Sequence, residues 1–457
     1  MPLPASILQM LETNNIHYEL RESLPKQPVA ASAQACLVKS LLLKDSKGIV
    51  QVLLPWNRML NLDAVANEFN RNLTALSQEE LAHTLSEVGL TAVPAIPQWQ
   101  KNITLVDSAL LEFGTLWLET GDHEQMLEVK REVFCAMVTA ANVASIASAV
   151  SELLVSSVDD DIQIAASVQR FTQLRIKQRL EDTLELPPLP DTARRIIKLR
   201  ANPEADISDL TDIVELDPSL AAQVVSWAAS PYYSAPGKIK SVHDAIVRVL
   251  GFDMVLNLAL GLALGKTMST SVMSQKQIAA YWQHAICVAA VVEGLVTSIP
   301  REHRPAFGMS YLAGLLCNFG HLILAEVFPP YYANISRHLE ANPHIQSHAV
   351  EQSIVGVSSC QISSWLLETW SMPSEVITAL RQQFNPSYQG EHAEYAHLLF
   401  VAEQLLARRG IGSRLPMPIP SKLFESLHLD PETAEATVGN VLESCEALDD
   451  IAAKMMG

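Results

Sequence analysis

Cysteine is scarce and scattered in this chain. The six thiols among 457 residues are Cys36, Cys135, Cys287, Cys317, Cys360 and Cys445, and no two form a C-x-x-C pair. That leaves neither a zinc-site spacing nor a disulfide framework, and a reducing compartment suits them. Positive charge is also short. Thirty-two Lys and Arg stand against 50 Asp and Glu, a net of −18. Such acidity opposes non-specific binding to nucleic acid or anionic lipid, though a local basic groove stays compatible with it. Long apolar runs are missing: the best, Val255 to Leu264, carries Asn257 and is too short to span a bilayer. The start, Met1-Pro-Leu-Pro-Ala-Ser, has no basic stretch leading into an apolar one, so it does not read as a secretory leader. Together these absences predict a cytoplasmic protein with no membrane partner.

Apolar residues are plentiful at 49%, enough for sizeable cores, and the length predicts two or three domains. Residues 1–150 mix element types. Ser6 to Asn14 reads as a short amphipathic helix. Leu37 to Leu43 and Ile49 to Leu54 are apolar runs around Lys44-Asp-Ser-Lys-Gly48, a spacing that predicts a hairpin with Gly48 in its turn. Leu62 to Phe69 and Ser77 to Val88 read as helices, the second opened by a capping box between Ser77 and Glu80. Ile103 to Val106 and Thr115 to Leu118 are candidate strands. Asp159-Asp160-Asp161 and the charged helical pattern Val168 to Leu184 then predict a connector over residues 151–185 with a solvated face.

From Leu186 the pattern is helical. Leu186-Pro-Pro-Leu-Pro190 stops what precedes it, because proline lacks the N–H and clashes with the previous turn. Asp206, Asp217 before Pro218, and Ser241 with Asp244 open successive helices, and Gly251 closes the third. Further helices are expected over Gln277 to Val296, Tyr311 to Glu326, Pro330 to Glu340, Val350 to Thr369, Ser374 to Gln383 and Glu391 to Arg408. Pro416, Pro418 and Pro420 set off an acidic helical tail. His344 and His348 are four apart behind Pro343, with no Glu to complete a metalloprotease pattern, so they read as solvated surface histidines.

Several segments of the helical half resemble an HDOD (HD-related output) domain over residues 186–390, followed by a helical extension over 391–457. They are Leu186-Pro-Pro-Leu-Pro190, Leu216-Asp-Pro-Ser-Leu-Ala-Ala-Gln-Val-Val225, Ser230-Pro-Tyr-Tyr233, Ser241 to Gly251 and Trp282-Gln-His284. The segment Tyr311-Leu-Ala-Gly-Leu-Leu-Cys-Asn-Phe-Gly-His321 is similar to the central helix of HD metal-phosphohydrolases. The resemblance implies a His-Asp dyad where Cys317 and Asn318 stand. It also implies a His at Ser359 and a His-His pair at Gln383 and Phe384, leaving His284 as the one retained ligand. A hard divalent cation is poorly served by an amide and a lone imidazole. The expectation is therefore no metal and no cofactor, because phosphoryl hydrolysis needs the ion to generate hydroxide. His284 then reads as a hydrogen-bonded histidine beside a closed pocket, and Cys317 as inert packing.

Residues 1–150 resemble a YbaK/ProX-type aminoacyl-tRNA deacylase, on Ile7 to Tyr18, Cys36-Leu-Val-Lys39-Ser-Leu-Leu-Leu-Lys44, Leu54-Pro-Trp-Asn-Arg-Met-Leu-Asn-Leu62 and Asp107 to Phe113. The resemblance implies that Lys39 holds the ester end of the substrate and that a loop ending near Pro94 shapes the pocket. That loop, Gly89-Leu-Thr-Ala-Val-Pro-Ala-Ile-Pro97, places Ala92, Val93 and Ile96 where small residues are expected. Bulk there keeps backbone N–H groups away from a carbonyl oxygen. Ten Lys and Arg against sixteen Asp and Glu give this part a net of −6, unlike a surface that grips tRNA, although Lys26, Lys39, Lys44, Lys47 and Arg58 could share one side. Lys39 stays open between a solvent-reaching lysine and a substrate contact.

The sequence thus predicts a multidomain protein, an α+β YbaK-like domain followed by an all-α, HD-like domain. The helical domain is a non-catalytic pseudoenzyme in signal transduction that recruits a protein partner or small ligand. The alternative is an editing enzyme that hydrolyses mischarged tRNA under control of the helical domain.

Overall fold

The structure is a computed structural model that describes residues 35–122, 125–150, 188–235, 237–266 and 272–444, with 3–4, 7–8, 11–12, 16–22, 163–164 and 166–167. The expected connector helix, Val168 to Leu184, lies outside the described residues. The chain divides into two compact units. The first is Met1–Ser156 with Asn334–Ile354; the second is Ser157–Ala333 with Val355–Gly457.

The first unit contains β1 (Glu19–Glu22), β2 (Ala35–Asp45), β3 (Gly48–Pro55), β4 (Arg58–Leu60), α1 (Leu62–Phe69), β5 (Thr74–Ala75), α2 (Gln78–Ser86), β6 (Ile103–Asp107), β7 (Thr115–Glu119), β8 (Gln125–Lys130), α3 (Arg131–Met137), β9 (Asn142–Ala144) and β10 (Ala147–Ala149). A mixed sheet runs β1-β8-β7-β2-β3-β6-β9, with β5 paired to β2; β10 and β4 form a separate ribbon. The expected hairpin is β2–β3, with Asp45 opposite Gly48 and Gly48 at φ +119°, a conformation open to glycine. Alternation along β2 and β3 sends Cys36, Val38, Leu42 and Leu53 into one core and Leu41, Leu43, Val50, Val52 and Leu54 into the other. Ser77 and Glu80 form the predicted capping box.

Residues Asn334–Ile354, which the pattern places in the helical domain, belong to this first unit. Asn342 Oδ1 accepts the Leu60 N–H at 2.6 Å, and its Nδ2 donates to the carbonyls of Leu60 (3.3 Å) and His338 (2.9 Å). Ala341 joins the core beneath β2 and β3. The expected solvated pair His344 and His348 is corrected here. His344 lies in the turn ahead of the helix that carries His348, and its Nε2 donates to the Arg58 carbonyl at 2.9 Å. Burial pulls the His344 imidazole down to about 4.

The second unit's helices, with the two that Asn334–Ile354 enters, are α4 (Asp191–Arg200), α5 (Ile207–Glu215), α6 (Pro218–Ala228), α7 (Val242–Ala245), α8 (Phe252–Lys266), α9 (Gln275–Ser298), α10 (Phe307–Leu315), α11 (Phe319–Val327), α12 (Pro329–Ala341), α13 (Ser347–Val355), α14 (Ser359–Thr369), α15 (Ser374–Gln382), α16 (Ala393–Ala407), α17 (Ser421–Ser426) and α18 (Pro431–Glu443). The start signals act as predicted. Asp206 caps α5, Asp217 caps α6 with Pro218 in the first turn, and Ser241 caps α7. Helix α9 is long and apolar enough to cross a membrane by composition, but it is a core helix packed on α10, α16 and α18.

Two expected helices are each broken in two. The Tyr311 to Glu326 pattern becomes α10 and α11, bent by 43°. At the bend, three-residue turns replace the α ladder: Cys317 N–H to Gly314 O, Phe319 N–H to Leu316 O and His321 N–H to Asn318 O. Cys317 and Asn318 sit in that turn. The Val350 to Thr369 pattern splits at Gly356, whose φ of +84° ends α13, and Ser358 with Gln361 caps α14.

Candidate functional site

Helices α9, α10, α11, α15 and α16 and a strap build the pocket that the HD resemblance points to. Helix α9 supplies His284, the bend between α10 and α11 supplies Cys317 and Asn318, and Gln383 follows α15. Asn318 Nδ2 lies 2.7 Å from His284 Nδ1. An amide donor there makes Nδ1 the acceptor and leaves the imidazole proton on Nε2. Gln383 Nε2 donates to the carbonyls of Cys317 (3.2 Å) and Leu380 (3.0 Å) and to Cys360 Sγ (3.3 Å). So His284, Cys317, Asn318 and Gln383 converge. Ser359 is placed differently: its backbone lies against Gly320, where an added Cβ would meet the Ser359 carbonyl oxygen at 2.0 Å.

Two residues that sequence reasoning missed complete the pocket. Glu403, from the middle of α16, is 1% exposed and sets Oε2 3.3 Å from His284 Nε2. Arg414, from the strap between α16 and α17, sets Nη2 3.0 Å from Glu403 Oε1. Burial alone would raise the Glu403 carboxyl, but the charge of Arg414 holds it down to about 2. Burial, and then the Glu403 carboxylate, push the Cys317 thiol well above its usual range. Gly412, at φ +83°, lets the strap lie on the imidazole, for a Cβ there would stand 2.4 Å from Nε2. Glu403 carried a readable signal: it is a lone charge behind the apolar run Leu398-Leu399-Phe400-Val401-Ala402. Arg414 carried none, sitting among turn residues.

One imidazole nitrogen of His284, Cys317 Sγ and a Glu403 oxygen all lie within 4.8 Å of one another. The surroundings nevertheless do not fit the hard ion of a phosphohydrolase. The amide of Asn318 stands where a carboxylate is needed, and a guanidinium already neutralises the buried acid. Elsewhere in this unit a cleft of about 370 Å³ opens between Tyr388, Glu394, His397 and Lys422. His397 Nε2 donates to the Tyr388 carbonyl at 2.8 Å, and burial lowers this imidazole, keeping it neutral.

In the first unit, Lys39 shares the face of Leu41 and Leu43 and forms an ion pair with Glu119. Pro94 is tethered from the other face: buried Gln51 Nε2 donates to Ser40 Oγ and to the carbonyls of Pro94 and Ile96, each at 3.0 Å. Several of the loop's own amides are in use. Thr91 and Ala92 N–H donate to the Gly121 carbonyl, and Ala95 N–H to that of Glu119. Of the basic residues that could have lined one side, Lys39 and Lys44 are paired with Glu119 and Glu80, and Arg58 reaches the Ala147 carbonyl, while Lys47 is exposed in the β2–β3 turn. Lys26 lies outside the described residues.

Comparison with known proteins finds two families along the chain. The HDOD domain family matches residues 186–386, and the aminoacyl-tRNA editing domain family matches residues 26–134. A protein of Marinobacter aquaeolei VT8, provisionally named a signal transduction protein, is 39% identical over the full length of both chains, with a TM-score of 0.88. An HDOD domain protein from Geobacter sulfurreducens shares the fold at 20% identity and a TM-score of 0.52, over 65% of this chain and 99% of its own. A Treponema pallidum protein is 23% identical over 271 residues, and the match spans half of that protein's length. The chain belongs to the HDOD-domain proteins that carry an aminoacyl-tRNA editing domain ahead of the HDOD domain.

Proposed function

We propose that this chain is a cytoplasmic signalling or regulatory protein of bacterial type whose HDOD domain acts by binding rather than by hydrolysis. One observation carries the reading: the pocket that would hold a catalytic ion is wired internally, Asn318 to His284 and Arg414 to Glu403. Function then rests on surfaces, with a protein partner or a small ligand biasing the populations of conformations. The cleft beside Tyr388 and Lys422 is the candidate seat for a small ligand. The test is incubation of the full chain with cyclic mono- and dinucleotides and a panel of divalent metals. No phosphate ester is expected to be cleaved, and metal-dependent turnover would reverse the reading.

A second reading is trans-editing of mischarged tRNA by the first unit, favoured by the editing-domain match over residues 26–134. Against it stand the engaged amides of Thr91, Ala92 and Ala95 and the pairing of Lys39 with Glu119. An oxyanion site needs free donors aimed at the reacting oxygen. In this reading the HDOD domain regulates an editing catalyst.

A further inference from the structure

We propose that Arg414 is a built-in cation. Its guanidinium fills the electrostatic role of the divalent ion in an HD-type pocket, and its removal unmasks a metal site made by His284, Cys317 and Glu403. The proposal rests on the non-hydrolytic reading of this pocket and adds what replaced the ion.

The donor geometry comes first. One ligand atom from each of the three residues lies within 4.8 Å of the other two, so a small inward movement of the side chains, with the imidazole proton moved to Nδ1 and the Asn318 amide turned to accept it, brings all three to about 2.0–2.3 Å from a single ion. All three are sheltered: His284 is 10% exposed by its side chain, Glu403 1%, and Cys317 5% as a residue. Neither carboxylate oxygen of Glu403 nor His284 Nε2 has a well-aligned hydrogen bond, although the ion-pair distances are short. A buried carboxylate so poorly served by directional bonds needs a cation beside it.

Charge decides which cation. With Arg414 in place, a Glu403 anion, a neutral thiol and a neutral imidazole leave the cluster neutral. A divalent ion that also ionised Cys317 would bring a buried cluster with Arg414 to a charge of plus one. Without Arg414 the same ion, thiolate and carboxylate cancel. Burying uncompensated charge is costly, so the guanidinium and the metal exclude each other. Arg414 is also fixed in place. Its side chain is 5% exposed, Nη1 donates to the Gln383 carbonyl at 3.3 Å, Nη2 donates to Gln383 Oε1, and Cζ sits 4.1 Å from the Phe384 ring centre. Gly412, two residues earlier, presses the strap onto His284. A thiolate, an imidazole and a carboxylate together favour zinc or its spectroscopic substitute cobalt over magnesium.

The experiment titrates the full-length chain with Co(II) and Zn(II). Wild type and Arg414→Lys are expected to bind no stoichiometric metal at this site. Arg414→Met is expected to take up one ion per chain, at least tenfold more tightly, with a thiolate-to-cobalt absorption band that Arg414→Met/Cys317→Ser loses. If Arg414→Met is unfolded without metal, zinc should restore its cooperative melt, and the same serine substitution should abolish the rescue. The proposal is overturned if wild type itself gives the thiolate–cobalt band. It is equally overturned if Arg414→Met binds no ion when folded, or is not rescued by zinc when unfolded. Phosphoester turnover by wild type would instead defeat the non-hydrolytic reading, so the two failures are distinguishable.

Discussion

Lys39 and Glu119 extend the parallel ladder of β2 and β7 by one step beyond the pair Val38 and Leu118, and their side chains form an ion pair on the face away from the Pro94 loop. The lysine that an editing reaction would use is held by an acid of its own sheet. With a panel of mischarged tRNAs, wild type and Lys39→Ala are expected to release amino acid no faster than the uncatalysed ester. Release that is fast in wild type and at least tenfold slower in Lys39→Ala would make the first unit a catalyst.

Gly320 on α11 faces Ser359 on α14 so closely that a methyl group cannot fit. Gly320→Ala should lower stability by about 3 kcal/mol, because the obstacle is backbone and cannot rotate aside. Urea unfolding followed by circular dichroism reads this directly. An unchanged midpoint would mean the two helices pack less tightly than described.

Gln383 is 2% exposed and joins the carbonyls of Cys317 and Leu380 to Arg414. Leucine is close in size but cannot bond. Gln383→Leu should cost about 2 kcal/mol through the polar groups it strands, whereas Gln383→Glu, which retains an acceptor for Arg414, should cost less. Equal losses for the two variants would contradict a bonding role.

Glu293 and His344 predict pH slopes of opposite sign. Tyr233 Oη donates to Glu293 Oε2 at 3.4 Å, and burial raises the carboxyl to about 7. The folded chain keeps a proton that an unfolded carboxyl loses near about 4.3, so this contribution is full at acid pH and drains as pH climbs towards 7. Buried His344, at about 4, is still neutral where an unfolded imidazole takes a proton, near about 6.5. Its contribution is full above that pH and drains as pH falls towards 4. Glu293→Gln should remove the first slope and His344→Gln the second, each about 1–3 kcal/mol across its window. Thermal melts from pH 4 to 8 measure both, and parallel wild-type and variant profiles would refute the linkage.

Much of this architecture was legible because its signals are local. Asp217 before Pro218, Ser77 with Glu80 and Gly48 between two apolar runs each act within a few residues, and each produced the expected cap or turn. The α10–α11 bend escaped because apolar periodicity runs straight through Cys317 and Asn318. Strand β8 escaped because its partners, β1 and β7, bring no local turn signal to it. The candidate pocket was half legible. His284, Cys317, Asn318 and Gln383 follow a linear motif, whereas Glu403 and Arg414 lie beyond it and meet the motif only through the packing of α16 and the strap. Asn342 was equally hidden, since its bonds to Leu60 cross more than 280 positions of chain.

That last pairing bears on how the protein can be dissected. A gene fragment ending near codon 150 would encode most of the sheet yet omit Asn342, leaving the Leu60 amide without its 2.6 Å acceptor and the underside of β3 without Ala341. A fragment starting near codon 186 would carry those residues with nothing to receive them. Modular cloning at the obvious junction therefore severs a single folding unit, and an inactive fragment would report the cut rather than the biology.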